Sequence, residues 1–395
     1  MKRRILCLDY GLSNFHNLIA MAKDGHKVFV TSGDYDKSPV AYYKSLGITT
    51  LDNYLSSRES WLHKFIEVED INTIINLDPN REVFRQKHDH NAADYIGLST
   101  LGCHLETRKL WCRKQVGKLG VKLPRLLDTV ETPCVIKPKK TTNNMGTVSC
   151  TYVVLGEYGK EWVRTNPSPA SIQSCYIEEY ISNAIETNVE FVVSGGKWSI
   201  QHCQQTMGEE VSKLVGRTTH WTNQASYAKL TGENRDLTIE NATKILDWVA
   251  TLGGSFQGQM TGLIKNGEWY FSEINSRLAV SNSLPIFCTG DEYLRSMLEG
   301  EPDIIGNAFP WDVQKIVVQP ITPDAIYPFH LHEKHGVSVP CGLDIIDGEY
   351  RVSKLFRPYS SDGCIGIVIC DREIPLDFIK EFENNSNFSV SHCFI

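Results

Sequence analysis

No stretch of the chain approaches the eighteen consecutive apolar residues of a membrane-spanning helix. No block or stripe of Lys and Arg is present, and the formal net charge is −7. That balance argues against a nucleic-acid or membrane-surface protein and for small molecules that meet local positive charge inside a cleft. Cys-x-x-Cys is missing too. The 12 cysteines are scattered from Cys7 to Cys393, and Cys7, Cys134 and Cys370 fall inside apolar runs. Reduced, mostly buried thiols in a cytoplasmic protein are therefore expected rather than a disulfide framework. Behind the basic Met1–Arg4 the apolar run ends at Asp9, which reads as a first strand and not a signal peptide. The turn after that strand, DYGLSN, holds one glycine where a dinucleotide fold needs Gly-x-Gly-x-x-Gly, so a Rossmann dehydrogenase is disfavoured. Neither an internal repeat nor a low-complexity segment occurs.

What is present is an ordinary globular balance, 41% apolar and 22% charged over 395 residues, long enough for two or three domains. Ile5–Leu8, a helix from Phe15 to Lys23 closed by Gly25, and Val28–Val30 read as the opening of a parallel α/β unit. Thr73–Leu77 adds a strand that ends at Asp78-Pro79, a candidate ligand loop. Glu106–Leu119 has helical spacing and stops at Gly120. Thr238–Leu252 is an amphipathic core helix with Thr238 as its cap and Gly253-Gly254 as its stop. After Pro302 short strand-like runs (Ile316–Val318, Val337–Val339, Gly366–Ile369) suggest a β-rich C-terminal domain. His330, His332 and His335 lack a cysteine or carboxylate pattern that would complete a zinc site and read as surface histidines.

The segment Trp269–Leu284 carries the chemistry. Three aromatics, Trp269, Tyr270 and Phe271, form a half-covered strand. Glu273 and Asn275 follow two apart, so both point to one face, roughly 6.6 Å apart along the backbone. Arg277 lies two further on. Two oxygen ligands on one face suit hard Mg²⁺ (or Mn²⁺) carrying phosphates better than Zn²⁺. Gln259 stands fourteen residues before Glu273, with Lys265-Asn266-Gly267 between them. Asn-Gly is a type I′ hairpin signal, so Gln259 and Glu273 are expected on paired strands facing one site.

This pattern resembles the metal strand of the ATP-grasp ligases, in particular carbamoyl phosphate synthetase and biotin carboxylase. The resemblance covers about residues 100–290 and implies the roles that follow. Lys109, and Lys137 at the end of Val135-Ile136-Lys137, hold nucleotide phosphates. Lys139–Thr147 stands in the place of the flexible loop over ATP, with Gly146 its only glycine. Glu178, Glu179 and Ile181 match the adenine hinge: the Ile181 N–H reaches adenine N1, and Glu178 or the Glu179 carbonyl accepts from the N6 amine. Glu190 holds the ribose hydroxyls. Gln259, Glu273 and Asn275 hold the metals, and Arg277 steadies the carboxylate or the transferring phosphoryl group. The implied layout is an N-terminal α/β domain (1–98), an ATP-grasp domain (99–310, lid about 124–177) and a β-rich domain (311–395) like that of glycinamide ribonucleotide synthetase. The implied reaction joins a small-molecule carboxylic acid to an amine through an acyl phosphate, releasing ADP and phosphate, with a homodimer as the candidate assembly. Bicarbonate activation and an ATP-binding module without turnover are the alternatives.

Overall fold

Ile5, Leu6, Cys7 and Leu8 are all buried, as a strand covered on both faces requires. The computed structural model describes residues 2–8, 21–22, 24–32, 47–52, 59–76, 93–131, 133–140, 152–154, 175–207, 226–276, 290–303, 314–320, 329–335, 344–346, 349–351, 366–370, 376–385 and 388–393. The strands β1 (Arg4–Leu8), β2 (Lys27–Ser32), β3 (Thr49–Asp52), β4 (Thr73–Asn76) and β5 (Asp94–Gly97) form a parallel sheet in the order β3-β2-β1-β4-β5. Helix α1 (Glu59–Val68) covers one face, packing Leu62 and Ile66 with Leu6, Leu8, Phe29 and Ile74. Met21 and Ala22 are helical, in keeping with the expected helix from Phe15 to Lys23; the rest of that helix and the loop at Asp78-Pro79 lie outside the described residues.

The expected single helix at 106–119 is two: α2 (Thr100–Thr107) and α3 (Lys109–Lys118), broken at Arg108 with φ −125 and ψ 65. No glycine or proline marks that break, so periodicity alone ran through it. Ser99 caps α2 by accepting from the Gly102 N–H at 2.9 Å, and its hydroxyl donates to the Leu252 carbonyl at 2.6 Å.

A four-stranded antiparallel sheet follows, built from β6 (Leu126–Leu127), β7 (Cys134–Pro138), β8 (Tyr152–Val154) and β9 (Cys175–Glu179) in the order β6-β9-β7-β8. The larger sheet contains β10 (Ile185–Ser194), β11 (Lys197–Met207), β12 (Ser226–Lys229), β13 (Phe256–Lys265) and β14 (Glu268–Asn275). Its order, β14-β13-β10-β11-β12-β19-β15-β18, also takes in β15 (Gln314–Pro320), β18 (Gly366–Cys370) and β19 (Phe388–Cys393). The C-terminal strands thus extend the large sheet through the parallel β12–β19 contact rather than standing only as a separate β-rich unit. Short strands β16 (Asp344–Ile346) and β17 (Glu349–Arg351) pair with each other. Val337–Val339 lies outside the described residues.

Helix α4 (Gly232–Ala250) begins earlier than Thr238, which is buried inside it. Its polar first turns, GENRD, carry no apolar stripe, so the core pattern showed only where the helix meets the sheet. There Ala242, Ile245, Leu246 and Val249 pack on Val189, Phe191, Phe256, Met260 and Ile274. Glycines 253 and 254, at φ 76 and 94, end the helix as expected. Helix α5 (Gly290–Glu299) adds Leu294 and Met297 to the same core, which also contains Ile5, Cys7 and Ile75. Helices α6 (Phe329–His335) and α7 (Leu376–Asn385) clasp each other: His335 packs edge-on against Phe378 at 5.8 Å, and its Nε2 lies 2.8 Å from Glu381. His335 is therefore a packed histidine and not a surface one. No described helix is long and apolar enough to cross a membrane.

Trp269 fixes the β13–β14 hairpin against this core. It is 2% exposed, its indole N–H donates to the Thr187 hydroxyl at 3.0 Å, and its ring lies over Gly262. A Cβ at Gly262 would meet the indole at 2.0 Å. Gly262→Ala is accordingly expected to destabilise the fold by about 1–3 kcal/mol, the usual cost of overpacking, read from urea denaturation. A change of less than about 0.5 kcal/mol, the scatter of an unconstrained surface substitution, would contradict this packing.

Candidate functional site

The hairpin between β13 and β14 turns at Asn266 and Gly267, both at positive φ (52 and 73), as a type I′ turn requires. Near the turn Gly262 pairs with Phe271, but further along Thr261 pairs with Glu273 and Gln259 with Asn275. Ser272 is therefore an extra residue, a β-bulge. The bulge changes the alternation of the strand. Trp269 and Phe271 face the core, and without it Glu273 would follow them inward. With it Ile274 takes the core side (1% exposed), and Glu273 and Asn275 turn to the other face. Gln259 and Glu273 do lie on paired strands and one face, but diagonally. Thr261, which sequence reasoning passed over, stands directly across from Glu273.

The same face continues across the sheet in two polar rows. One runs His202, Glu190, Gln259, Asn275, and the other Gln204, Asn188, Thr261, Glu273. Glu190, Gln259, Asn188 and Gln204 are all 3% exposed or less, yet the opposite face of these strands is apolar. Thr261 donates to Asn188 Oδ1 at 2.8 Å, and Gln204 reaches Glu190 at 3.5 Å. The signal was available in the sequence as polar residues at alternate positions of otherwise apolar strands.

Cations converge on this face from the other elements. Lys109, the first residue of α3, places Nζ 2.7 Å from Glu273 Oε2. A lysine at a helix N-terminus opposes the helix dipole, so this position favours the partner carboxylate over the helix itself. Asn275 Nδ2 donates to Glu273 Oε1 at 3.4 Å. Lys137, at the end of β7 and 4% exposed, donates to the Ser272 carbonyl at 3.0 Å and meets the Ser272 hydroxyl at 3.3 Å. The bulge thus supplies the lysine with an acceptor. Lys137 Nζ also lies 2.9 Å from Glu178 Oε2, while Arg113 Nε of α3 lies 2.6 Å from Glu178 Oε1. Five charged side chains, Lys109, Arg113 and Lys137 against Glu178 and Glu273, thus tie α3, the four-stranded sheet and β14 together with one positive charge in surplus.

The Lys109 cation, then Lys137 and the hydrogen bonds from Lys109 and Asn275, outweigh desolvation and hold the Glu273 carboxyl at about 2. Burial pushes the Cys112 and Cys203 thiols up to about 12, so neither is a nucleophile at neutral pH. Cys7, Cys103, Cys112, Cys134, Cys175 and Cys203 are buried thiols outside any disulfide. Among the described residues no group of three or more His, Cys, Asp and Glu side chains forms a metal cluster.

The remaining sequence candidates fall as follows. Glu178 is 2% exposed and its carboxylate is occupied by the two cations. Glu179 accepts from the Arg125 N–H at 2.7 Å and returns its own N–H to the Arg125 carbonyl at 2.8 Å. Ile181 follows β9 in the turn toward β10. Arg277 lies outside the described residues, as do positions 141–147 of the Lys139–Thr147 loop. Glu106 Oε2 accepts the Ser276 N–H at 3.2 Å and so fixes the exit of β14 toward Arg277.

The Glu273 carboxyl titrates lower in the fold than its ordinary value near 4.5, so it stabilises the protein above that value. The contribution is lost as pH falls from about 4.5 toward 2 and amounts to on the order of 3 kcal/mol. Urea denaturation from pH 5 to pH 2 is expected to show this loss in the wild type and a shallower one in Glu273→Gln. Parallel pH profiles for the two would contradict the pairing.

Residues 123–299 match the family model described as carbamoyl-phosphate synthase L chain, ATP binding domain. A search of curated proteins finds no match. Among solved structures the fold is similar to L-amino acid ligase from Bacillus licheniformis (TM-score 0.67, 14% identity, 100% of each chain covered). It is also similar to N5-carboxyaminoimidazole ribonucleotide synthetase from Thermus thermophilus (0.66, 15%, 96% of each chain). Biotin carboxylase from Campylobacter jejuni is a further likeness (0.62, 15%, 99% of this chain and 92% of that one). The chain has the ATP-grasp fold, and its residues 123–299 are similar to the ATP-binding domain of the carbamoyl-phosphate synthase L chain.

Proposed function

We propose that the protein is an ATP-dependent carboxylate–amine ligase that works through an acyl phosphate and releases ADP and phosphate. The observation that carries this reading is the convergence of Lys109 and Lys137 on the strand end that presents Glu273 and Asn275. A carboxylate and a triphosphate repel each other, and a site that joins them must neutralise both and hold them in line. Lys109 and Lys137 bind the α- and β-phosphates. The Ile181 N–H meets adenine N1. Because the Glu178 carboxylate is engaged by Arg113 and Lys137, the N6 amine falls to the Glu179 main-chain carbonyl. Glu190 serves the ribose hydroxyls.

The donor set Gln259, Glu273 and Asn275 offers one ionised carboxylate and two amide oxygens on one face, which fits a hard divalent ion that completes its shell with phosphate and water. When bound, Mg²⁺ (or Mn²⁺) neutralises charge on the β- and γ-phosphates as the γ-phosphoryl group leaves. The acid's oxygen attacks the γ-phosphorus and the bond to the β-phosphate oxygen breaks, giving ADP. The amine nitrogen then attacks the acyl carbon and phosphate departs. Arg277 steadies the acid or the transferring group. Similarity over the full length of an L-amino acid ligase supports an amine as acceptor. Similarity to biotin carboxylase makes bicarbonate the second acid to test.

Incubation of the protein with ATP, Mg²⁺, a panel of acids including bicarbonate, and hydroxylamine is expected to give ADP and, with the true organic acid, a hydroxamate. AMP as the nucleotide product would contradict the proposal. Glu273→Gln is expected to abolish turnover with the fold intact. Lys137→Ala is expected to weaken ATP binding by about 1.5–3 kcal/mol, the range for hydrogen bonds to charged groups. Wild-type affinity in that variant, measured by calorimetry, would remove Lys137 from the phosphate site.

A further inference from the structure

We propose that Arg113 is a positioning residue that keeps the charge of Lys137 available to a polyphosphate by holding the second oxygen of Glu178. The proposal rests on the nucleotide-site reading above and deepens it. Arg113 lies four residues after Lys109, on the same side of α3, and is 8% exposed. Its Nε is 2.6 Å from Glu178 Oε1, and a terminal nitrogen of its guanidinium donates to the Pro124 carbonyl, where the chain enters the four-stranded sheet. The other oxygen of the same carboxylate is 2.9 Å from Lys137 Nζ.

A single carboxylate can cancel one cation. Here it is divided between two, so the buried trio carries one surplus positive charge. Leaving a charge uncompensated in a buried setting is costly, and an arrangement that retains one is suited to an anion. Without Arg113 the carboxylate closes on Lys137 alone and cancels it. The planar guanidinium can serve Glu178 and the Pro124 carbonyl together, which the single ammonium of lysine cannot do in the same geometry. Arg113 thereby sets both the charge of Lys137 and the seat of the four-stranded sheet on α3.

The test uses the full chain and calorimetric binding of ATP and of adenosine, comparing Arg113→Gln, Glu178→Gln and the double variant. Adenosine lacks the phosphates, so the ratio of ATP to adenosine affinity isolates the charge effect. In Arg113→Gln this ratio is expected to fall about tenfold, a change of about 1.4 kcal/mol. In the double variant it is expected to return to within about threefold of wild type, because the surplus charge is restored. A merely structural Arg113 would lower both affinities together and leave the double variant no better than the single one, and that result overturns the proposal. If melting curves show Arg113→Gln unfolded, the double variant decides alone: a near-wild-type ratio supports the role, and a tenfold lower one overturns it. A wild-type chain that binds neither ligand overturns the nucleotide-site reading itself, and this proposal with it.

Discussion

The contact between Lys109 and Glu273, 2.7 Å long, joins the start of one helix to the end of one strand, and much of the site's geometry can be traced back to it. The strand end faces the lysine only because Ser272 bulges out of the β13–β14 ladder. The bulge is anchored in turn by Trp269 and Phe271 on the core side. The same extra residue turns a carbonyl toward Lys137. A single local irregularity therefore presents a carboxylate to one cation and an acceptor to another, from two different elements.

The electrostatics follow from burial. In water these pairs would contribute little. Glu178, Lys137 and Arg113 are nearly enclosed, so each charge needs a partner, and the partners are shared rather than matched one to one. The large sheet is built to the same pattern. Its α4 face is apolar, and its other face carries two rows of amides, hydroxyls and carboxylates across β11, β10, β13 and β14. A pleated sheet permits this division because successive side chains alternate between faces.

Much of this was legible in the sequence. The Asn266-Gly267 turn, the buried aromatic strand and the same-face pair Glu273 and Asn275 were all expected, because turn chemistry and period-two alternation are local signals. The direct partner of Glu273 was not. Counting residues from Gln259 cannot see a bulge, and so Thr261 was missed. Arg113 was missed because its role depends on Glu178, 65 positions away. The break at Arg108 left no glycine or proline to mark it. The first turns of α4 carried no apolar stripe, since they precede its contact with the core. The extension of the large sheet by β15, β18 and β19 rests on pairings between distant segments, which no local pattern encodes.

The proposed function requires that the polar face of the large sheet and the lysines facing it form one nucleotide site. A crystal structure of the full chain with ADP and Mg²⁺ tests it most directly. Phosphate oxygens are expected within hydrogen-bonding distance of Lys109 and Lys137, with the metal held by Gln259, Glu273 and Asn275. Lys109 would then have left Glu273 for phosphate. A nucleotide bound elsewhere, with the Lys109–Glu273 pair unchanged, would contradict it.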